Sequence, residues 1–469
     1  MLDQGTIAAI ATPPGEGGIG VIRISGPEAA EIATAVFRLP NGRAPQLTPQ
    51  RSHRLVYGAI VDPASGETID DVLLAWMASP RTFTKEDTVE ISCHGGPVPM
   101  QETLRVVLAA GARQAEPGEF TLRAFLNGRL DLTQAEAVLQ VITARTGAGL
   151  KLAVDDLGGS LAGRIAPARA AVISLLAWLD AAADFPEDEI PPVDLDGNLD
   201  TAEQALARIV DGATAGMLYR DGARVALVGK PNVGKSSLLN AILRVDRAIV
   251  TPIAGTTRDV IAETASISGI PVTLLDTAGI ADTADVVERL GIARSRDALT
   301  SAAAIILVLD GSIAPTEDDL AVAEMVAERL PDHGLDVHPP IVIALNKADL
   351  PTHVDQGYVV SKLPDAAVVR VSSETGEGIA VLEAALARVI GGEATRNAAP
   401  ALVTTRQRAA LERALAHIRQ AIEARAIGTP LDLLAIDVRA ALRAIGEVTG
   451  EAIDDAVLTE IFSRFCIGK

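Results

Sequence analysis

Between the apolar run Val225-Ala226-Leu227-Val228 and the helix-like Ser237-Leu238-Leu239-Asn240-Ala241-Ile242-Leu243 stands Gly229-Lys230-Pro231-Asn232-Val233-Gly234-Lys235-Ser236. This spacing can do phosphate chemistry. Glycines at its first and sixth positions let the backbone curl so that N–H groups point inward at phosphate oxygens, and the following helix adds the positive end of its dipole. The stretch from Asn232 through Val233 and Gly234 to Ser237 then lies along the nucleotide. Lys235 reaches the β- and γ-phosphates, and the Ser236 hydroxyl ligates Mg²⁺.

Four further stretches follow in the order that a guanine-nucleotide switch requires. Gly255-Thr256-Thr257-Arg258-Asp259 lies in the loop after the first helix, where Thr257 is placed to cap Mg²⁺ and sense the γ-phosphate. Asp276-Thr277-Ala278-Gly279 ends an apolar strand, which puts Asp276 in the Mg²⁺ shell and the Gly279 N–H near the γ-phosphate. Asn346-Lys347-Ala348-Asp349 follows the strand Ile341 to Leu345. The Asp349 carboxylate can accept both N1–H and N2–H of guanine, whereas adenine would leave it facing an acceptor, and an unpaired buried carboxylate is costly enough to exclude ATP. Ser372-Ser373-Glu374-Thr375-Gly376 contacts the base from its backbone. Together these predict GTP as the nucleotide.

Many switch proteins place a Gln after the glycine matching Gly279, to orient the attacking water. Here that residue is Ile280, which cannot hold a water. Asp282, Asp285 and Glu288 are candidates to take over. For the missing positive charge, Asn232 and the turn Thr251-Pro252-Ile253-Ala254-Gly255-Thr256 supply oxygens for a monovalent cation.

Several elements must position these groups. Strands at Val225-Val228, Pro271-Leu275, Ala304-Leu309, Ile341-Leu345 and Val368-Val371, with helices between, predict a doubly wound parallel sheet over 218–395. Long Ala- and Leu-rich helical segments flank it, over 126–217 and again over 396–469, and predict an all-α domain into which the sheet domain is inserted. Residues 1–125 alternate short apolar runs with turn clusters, the pattern of a small α+β domain. Within it Arg23 is read at a strand end and Cys93-His94-Gly95-Gly96 as a turn. Adjacent strand residues point to opposite faces, so a Cys93–His94 dyad is not expected.

Length supports this division, since 469 residues exceed one core. Against 61 acidic residues stand 41 basic ones, a net charge of −20, so any nucleic acid must meet a local basic face. Two cysteines far apart offer no disulfide framework. The start lacks a basic n-region and an apolar h-region, and no uninterrupted apolar run of transmembrane length is apparent, so the chain reads as soluble and cytoplasmic, with no membrane partner.

With these residues in hand the chain resembles, end to end, the tRNA-modification GTPase family MnmE, also called TrmE. Beyond the nucleotide motifs the resemblance rests on Ala11-Thr12-Pro13-Pro14-Gly15 with Arg23-Ile24-Ser25-Gly26; on Glu90 and His94-Gly95-Gly96-Pro97; on Pro117-Gly118-Glu119-Phe120 with Arg123-Ala124-Phe125-Leu126-Asn127 and Leu130-Asp131-Leu132; and on the terminal Cys466-Ile467-Gly468-Lys469.

The resemblance implies a K⁺-stimulated GTPase with a Ras-like P-loop domain, whose G domains pair during hydrolysis on a homodimer built mainly by the N-terminal domains. It implies that Asn232, Thr251, Ile253 and Thr256 ligate K⁺, that Ser236 and Thr257 take Mg²⁺, and that Glu288 is the water-orienting glutamate. Thr277, Ala278, Lys347, Ser372 and Ser373 complete the nucleotide contacts. A 5-formyl- or 5,10-methylene-tetrahydrofolate would meet Arg23, Glu90, Arg129 and Lys469, and Cys466 would serve modification but not hydrolysis. The implied reaction adds an aminomethyl or carboxymethylaminomethyl group at C5 of the tRNA wobble uridine, together with the FAD-bearing partner MnmG (GidA) in a heterotetramer or larger complex.

Two departures from the family pattern stand out. Ala281 replaces a frequent Arg, and Ser373-Glu374 replaces Ala-Lys or Ala-Arg in the base loop. A pure regulatory switch whose flanking domains only bind RNA is the competing class, and the tail separates the two.

Overall fold

Period-two burial builds the first sheet. Along β2 (Gly17–Ser25) Ile22 and Ile24 are buried, along β5 (Thr68–Met77) Val72, Leu74 and Trp76, and along β6 (Thr88–Gly95) Val89, Ile91 and Cys93. With β1 (Ile7–Ile10), β3 (Phe37–Arg38), β4 (Arg54–Val61) and β7 (Arg113–Gln114) they form a seven-stranded sheet ordered β3-β4-β5-β6-β2-β1-β7, antiparallel except for the β1–β7 pair. Helices Ala29–Val36 and Pro97–Ala109 close its inner face through Ile32, Val36, Met100 and Val107. This is the expected α+β domain.

The computed structural model describes residues 5–185, 191–245, 263–276, 302–328, 339–351, 357–392 and 399–469. The chain forms two compact units, Met1–Leu139 with Arg443–Lys469, and Gln140–Leu442. In the first, the chain's last helix, Asp455–Ser463, lays Leu458 and Phe462 with Phe465 against Leu132 and Ala135, so the C-terminal segment shares the N-terminal unit's core.

The second unit contains a sheet ordered β13-β12-β11-β8-β10-β9. Strands β8 (Ala223–Val228), β10 (Ile270–Asp276), β11 (Ala304–Asp310), β12 (Ile341–Asn346) and β13 (Ala367–Arg370) run parallel. Both faces are covered: Val225 and Leu227 pack with Leu238, Ile242 and Leu386, whereas Ala226 and Val228 pack with Ile305 and Val326. The expectation of an all-parallel sheet is corrected at one edge. There β9 (Glu263–Ile267) pairs antiparallel with β10 across the tight turn at Ser268-Gly269, a hairpin that needs no crossover.

Around this sheet the helices Ser160–Asp184, Leu195–Asp221 and Thr405–Ala426 pack on one another. By length and composition Ser160–Asp184 is apolar enough to cross a membrane, although Arg164 and Arg169 interrupt its apolar run. Its buried residues, Leu161, Ile165, Ala168, Val172, Leu175 and Leu179, form a single stripe, the pattern of a helix packed in a bundle.

Two local readings of the N-terminal domain also change. Cys93-His94-Gly95 is strand and not turn, because β6 continues until Gly95 pairs with Gly17. Arg23 lies within β2, paired directly with Glu90, and not at its end.

Candidate functional site

Turn geometry sets the phosphate loop between β8 and the helix Lys235–Val245. Asn232 takes a left-handed conformation (φ 67°) and so does Gly234 (φ 94°). At Gly234 a side chain would collide with the Asn346 amide, which instead donates from Nδ2 to the Val233 carbonyl at 2.9 Å. Val233 itself is buried in the sheet core. Lys235, also buried, arches back over the loop and donates from Nζ to the carbonyls of Gly229 and Lys230, each at 2.8 Å. It is thus held across the loop where phosphate oxygens would replace those carbonyls. Asn232, Ser236 and Ser237 are exposed on the loop and the first helical turn.

One residue, Asn346, joins this loop to the base loop. Its Oδ1 accepts from the Ser373 N–H at 3.1 Å and from the Ser373 hydroxyl at 2.8 Å. The serine that replaces the family's alanine therefore adds a bond to Asn346. Asp349 Oδ1 accepts from the Ser372 hydroxyl at 2.6 Å, which fixes the carboxylate's rotamer. Gly234, Ser237, Asn346, Lys347, Asp349 and Ser373 line a cavity of about 240 Å³. An acceptor carboxylate aimed beside a glycine-rich loop fits a guanine nucleotide.

Two ion pairs brace the loops, and the sequence reading missed both. Lys347 (φ 64°) donates from Nζ to Asp310 Oδ2 at 2.6 Å, while the Ser312 hydroxyl and N–H bond Asp310 Oδ1. Burial pushes the Asp310 carboxyl up, but Lys347 and Ser312 outweigh it and hold the group below the usual range. Lys230 donates to Asp319 Oδ2 at 2.7 Å and to the Thr316 hydroxyl at 3.0 Å. Burial again raises Asp319, and Lys230 with Thr316 brings it below its ordinary value. The available signal was the pairing of a loop lysine with Thr316 and Asp319 at a helix start.

Thr251, Ile253, Thr256, Thr257, Thr277, Ala278, Gly279, Glu288 and the side chain of Asp276 lie outside the described residues, as do Asp282, Asp285 and Ala281. Among the described residues no three His, Cys, Asp or Glu side chains cluster as a metal site. The hard oxygen donor at hand for Mg²⁺ is the Ser236 hydroxyl, and for a monovalent cation the Asn232 amide, both of suitable chemistry.

A second constellation occupies the N-terminal unit. Arg23 Nε donates to Glu90 Oε1 at 2.9 Å, Nη2 lies 2.8 Å from the same oxygen, and Nη1 donates to the Gly468 carbonyl at 3.1 Å. The guanidinium stands 5.7 Å over the Phe120 ring. The structure therefore brings Arg23, Glu90 and the tail together. Arg129 is exposed, with its N–H on the Ala124 carbonyl, and Lys469 donates its N–H to Cys466 at 3.3 Å; neither side chain is bonded to the Arg23–Glu90 pair. Cys466 is exposed, whereas Cys93 is buried. Burial, then Asp70, pushes the Cys93 thiol up, and His94 turns away to bond Asp70 Oδ1 at 2.6 Å. No Cys93–His94 dyad forms.

Comparison with known proteins decides the family. Residues 132–466 match the model of the MnmE helical domain, and residues 6–129 that of the GTP-binding protein TrmE N-terminus. The chain belongs to the MnmE family of tRNA modification GTPases. It is 50% identical to the tRNA modification GTPase MnmE of Chloroflexus aurantiacus, with 99% of each chain covered. To those of Roseiflexus castenholzii and Heliobacterium modesticaldum it is 48% and 46% identical, over 100% of both chains and over 99% of both, respectively. Within the MnmE family, then, this chain carries the Arg23–Glu90–Gly468 cluster and the Asn346 bridge just described.

Proposed function

We propose that the chain is a K⁺-stimulated GTP hydrolase that acts in tRNA modification. With the flavin-dependent partner MnmG (GidA) it would install an aminomethyl or carboxymethylaminomethyl group at C5 of the wobble uridine. The observation that carries the nucleotide half is Asn346, bonded at once to the phosphate loop and to Ser373, with Asp349 beside the same cavity. Asp349 reads guanine, Asn346 keeps the base and phosphate loops in register, and Lys235 exchanges the Gly229 and Lys230 carbonyls for β- and γ-phosphate oxygens.

Ser236, with Thr257, would hold Mg²⁺, which neutralises phosphate charge. Asn232, with Thr251, Ile253 and Thr256, would hold K⁺, which supplies the positive charge that an arginine finger gives elsewhere. Glu288 orients water in place of the absent Gln. In the N-terminal domain Arg23 and Glu90 offer a charged, half-open pair for a tetrahydrofolate carrying one carbon, with Arg129 and Lys469 reaching it from neighbouring segments; Cys466 takes part in the transfer. A homodimer through the N-terminal domains is supported by an exposed apolar strip on the sheet's outer face, Leu55, Tyr57 and Leu73, of which Tyr57 and Leu73 are cross-strand partners. The division at 125, 217 and 395 remains part of this reading.

The test is turnover of GTP and ATP by the full chain in K⁺ and in Na⁺ at equal ionic strength. Turnover of GTP alone, strongly stimulated by K⁺, is expected. Equal rates in the two salts would remove the cation site at Asn232, and turnover of ATP would remove the role given to Asp349.

A further inference from the structure

Nothing acidic stands between Ile32 and Val61, a stretch that carries Arg38, Arg43, Arg51 and Arg54 with His53. A chain with 61 acidic residues in 469 would place about four there. The fold gathers the end of this stretch with two other loops at one end of the N-terminal sheet. Arg51 closes the short helical turn Pro49–Arg51, and Arg54 opens β4 opposite Trp76. His53, left-handed at φ 63°, locks the corner: its N–H donates to the Trp76 carbonyl at 2.8 Å, and its ring lies between the Ser52 hydroxyl at 2.7 Å and the Arg81 carbonyl at 2.9 Å. From there the Ser79 hydroxyl donates to the Lys85 carbonyl, and Lys85 Nζ to the Gly128 carbonyl, each at 2.8 Å.

Three guanidiniums on this rim, those of Arg51, Arg54 and Arg81, are exposed, and among the described residues none has a carboxylate partner. Several other arginines of the domain are committed: Arg38 to carbonyls at the end of its helix, Arg105 to Asp62 and Glu102, Arg113 and Arg123 to Glu119, whereas Arg43 and Arg129 are exposed but stand apart from one another in the sequence. The acids nearest the rim are committed too, Glu86 to Arg123 and Ser25, and Asp87 to the Ser79 N–H. Positive charge is therefore uncompensated along this rim, in a molecule whose overall charge is −20.

We propose that Arg51, Arg54 and Arg81 form a docking rim for the phosphate backbone of tRNA. Two segments, the turn into β4 and the loop holding Arg81, carry the arginines along an open rim, a geometry that suits successive phosphates rather than the enclosure of a single anion. The corner locked by His53 presets them, so little order has to be gained on binding. This inference rests on the tRNA reading above and adds the surface that such a substrate needs.

Binding of an unmodified tRNA transcript to the full chain, followed by fluorescence anisotropy at several salt concentrations, tests it. Combined Arg51→Ala, Arg54→Ala and Arg81→Ala should weaken binding about 10- to 100-fold near 0.1 M salt and flatten the slope of log K against log salt by about 2–3. Lysine at the same positions should restore most of the affinity, because backbone contacts read charge. Arg105→Ala, which removes a charge already paired, should change neither quantity, and GTP turnover without RNA should be the same in all variants. A triple alanine variant with parental affinity and slope overturns the docking rim. If the parent itself binds no tRNA while hydrolysing GTP, the tRNA reading falls and takes the rim with it.

Discussion

Arg23 and Gly468, 445 residues apart, are joined by a 3.1 Å hydrogen bond from the guanidinium to the tail's last carbonyl but one. The same guanidinium is held by Glu90, directly opposite on the neighbouring strand. An arginine inside a sheet thus receives the far end of the chain. The tail arrives there because Phe462 and Phe465 are buried beside Leu132, and because the Gly118 N–H takes the Cys466 carbonyl at 3.4 Å. Exposure of Cys466 then follows from the tail's path: its carbonyl is tied down while its thiol faces solvent.

Gly468→Ala tests whether that docking serves the chemistry. Gly468 sits at φ 93°, and a Cβ there would come within 2.5 Å of the Ile10 carbonyl oxygen, so the tail must shift. A residue forced into such backbone costs about 1–3 kcal/mol, enough to reduce wobble-uridine modification about tenfold or more. GTP turnover should stay within about twofold, since the strain arises in the other unit. Cys466→Ser should lose modification with the tail still docked. Nucleoside analysis of tRNA from cells dependent on each variant, beside GTPase rates, makes the comparison; intact modification in both would remove the tail from the chemistry.

Asp349→Ala should weaken GTP binding by about 2–3 kcal/mol, roughly 100-fold, because two N–H donors of guanine lose a charged acceptor. Asn346→Ala should cost at least as much although it need not touch the base, since it unlinks Val233 from Ser373. Calorimetric titration with GDP gives both numbers. GDP affinity near the parental value in Asn346→Ala would show that the two loops hold their register without the bridge.

The candidate nucleotide site was legible because its residues act locally. A phosphate loop is specified by glycines at fixed spacing within one turn, and Asn346 and Asp349 stand at the end of the continuous apolar run Ile341 to Leu345, which marks a buried parallel strand. Pairings between distant segments left no such mark. Lys347–Asp310 and Lys230–Asp319 depend on which strand lies beside which, and β9 escaped notice because a five-residue edge strand with one buried face resembles a polar loop. Cys93-His94-Gly95 was misread because glycines suggest a turn, whereas here Gly17 and Gly95 face each other across two strands. Arg51, Arg54 and Arg81 likewise become one feature only after folding.

Leu55, Tyr57 and Leu73 expose 67%, 56% and 39% of their surface on the outer face of the N-terminal sheet. If the homodimer forms through this face, Tyr57→Glu with Leu73→Glu buries two like charges per protomer and should weaken association at least 100-fold. Light scattering of the eluting protein at micromolar concentration reads the mass directly. An unchanged dimer would move the interface to another surface.

Asp156 is a carboxylic acid in the wrong place for neutral pH. It lies buried in the helix Gly147–Leu157, and burial pushes its pKa up to about 6, with Arg164 opposing and Asp155 adding to the rise. The unfolded chain would hold it near 3.9. Between those values the folded protein keeps a proton that the unfolded chain releases, so stability falls as pH rises from about 4 to 6, and the full penalty is present above that window. Its size is on the order of 3 kcal/mol. Asp156→Asn, which keeps the shape and removes the charge, should therefore raise the melting temperature of the full chain at pH 8 and raise it by roughly half as much at pH 5, the middle of that window. Calorimetric scans of parent and variant at both pH values measure the difference. A gain of the same size at pH 5 would assign the effect to hydrogen bonding and not to buried charge, and a loss at pH 8 would show that the Arg164 attraction outweighs burial.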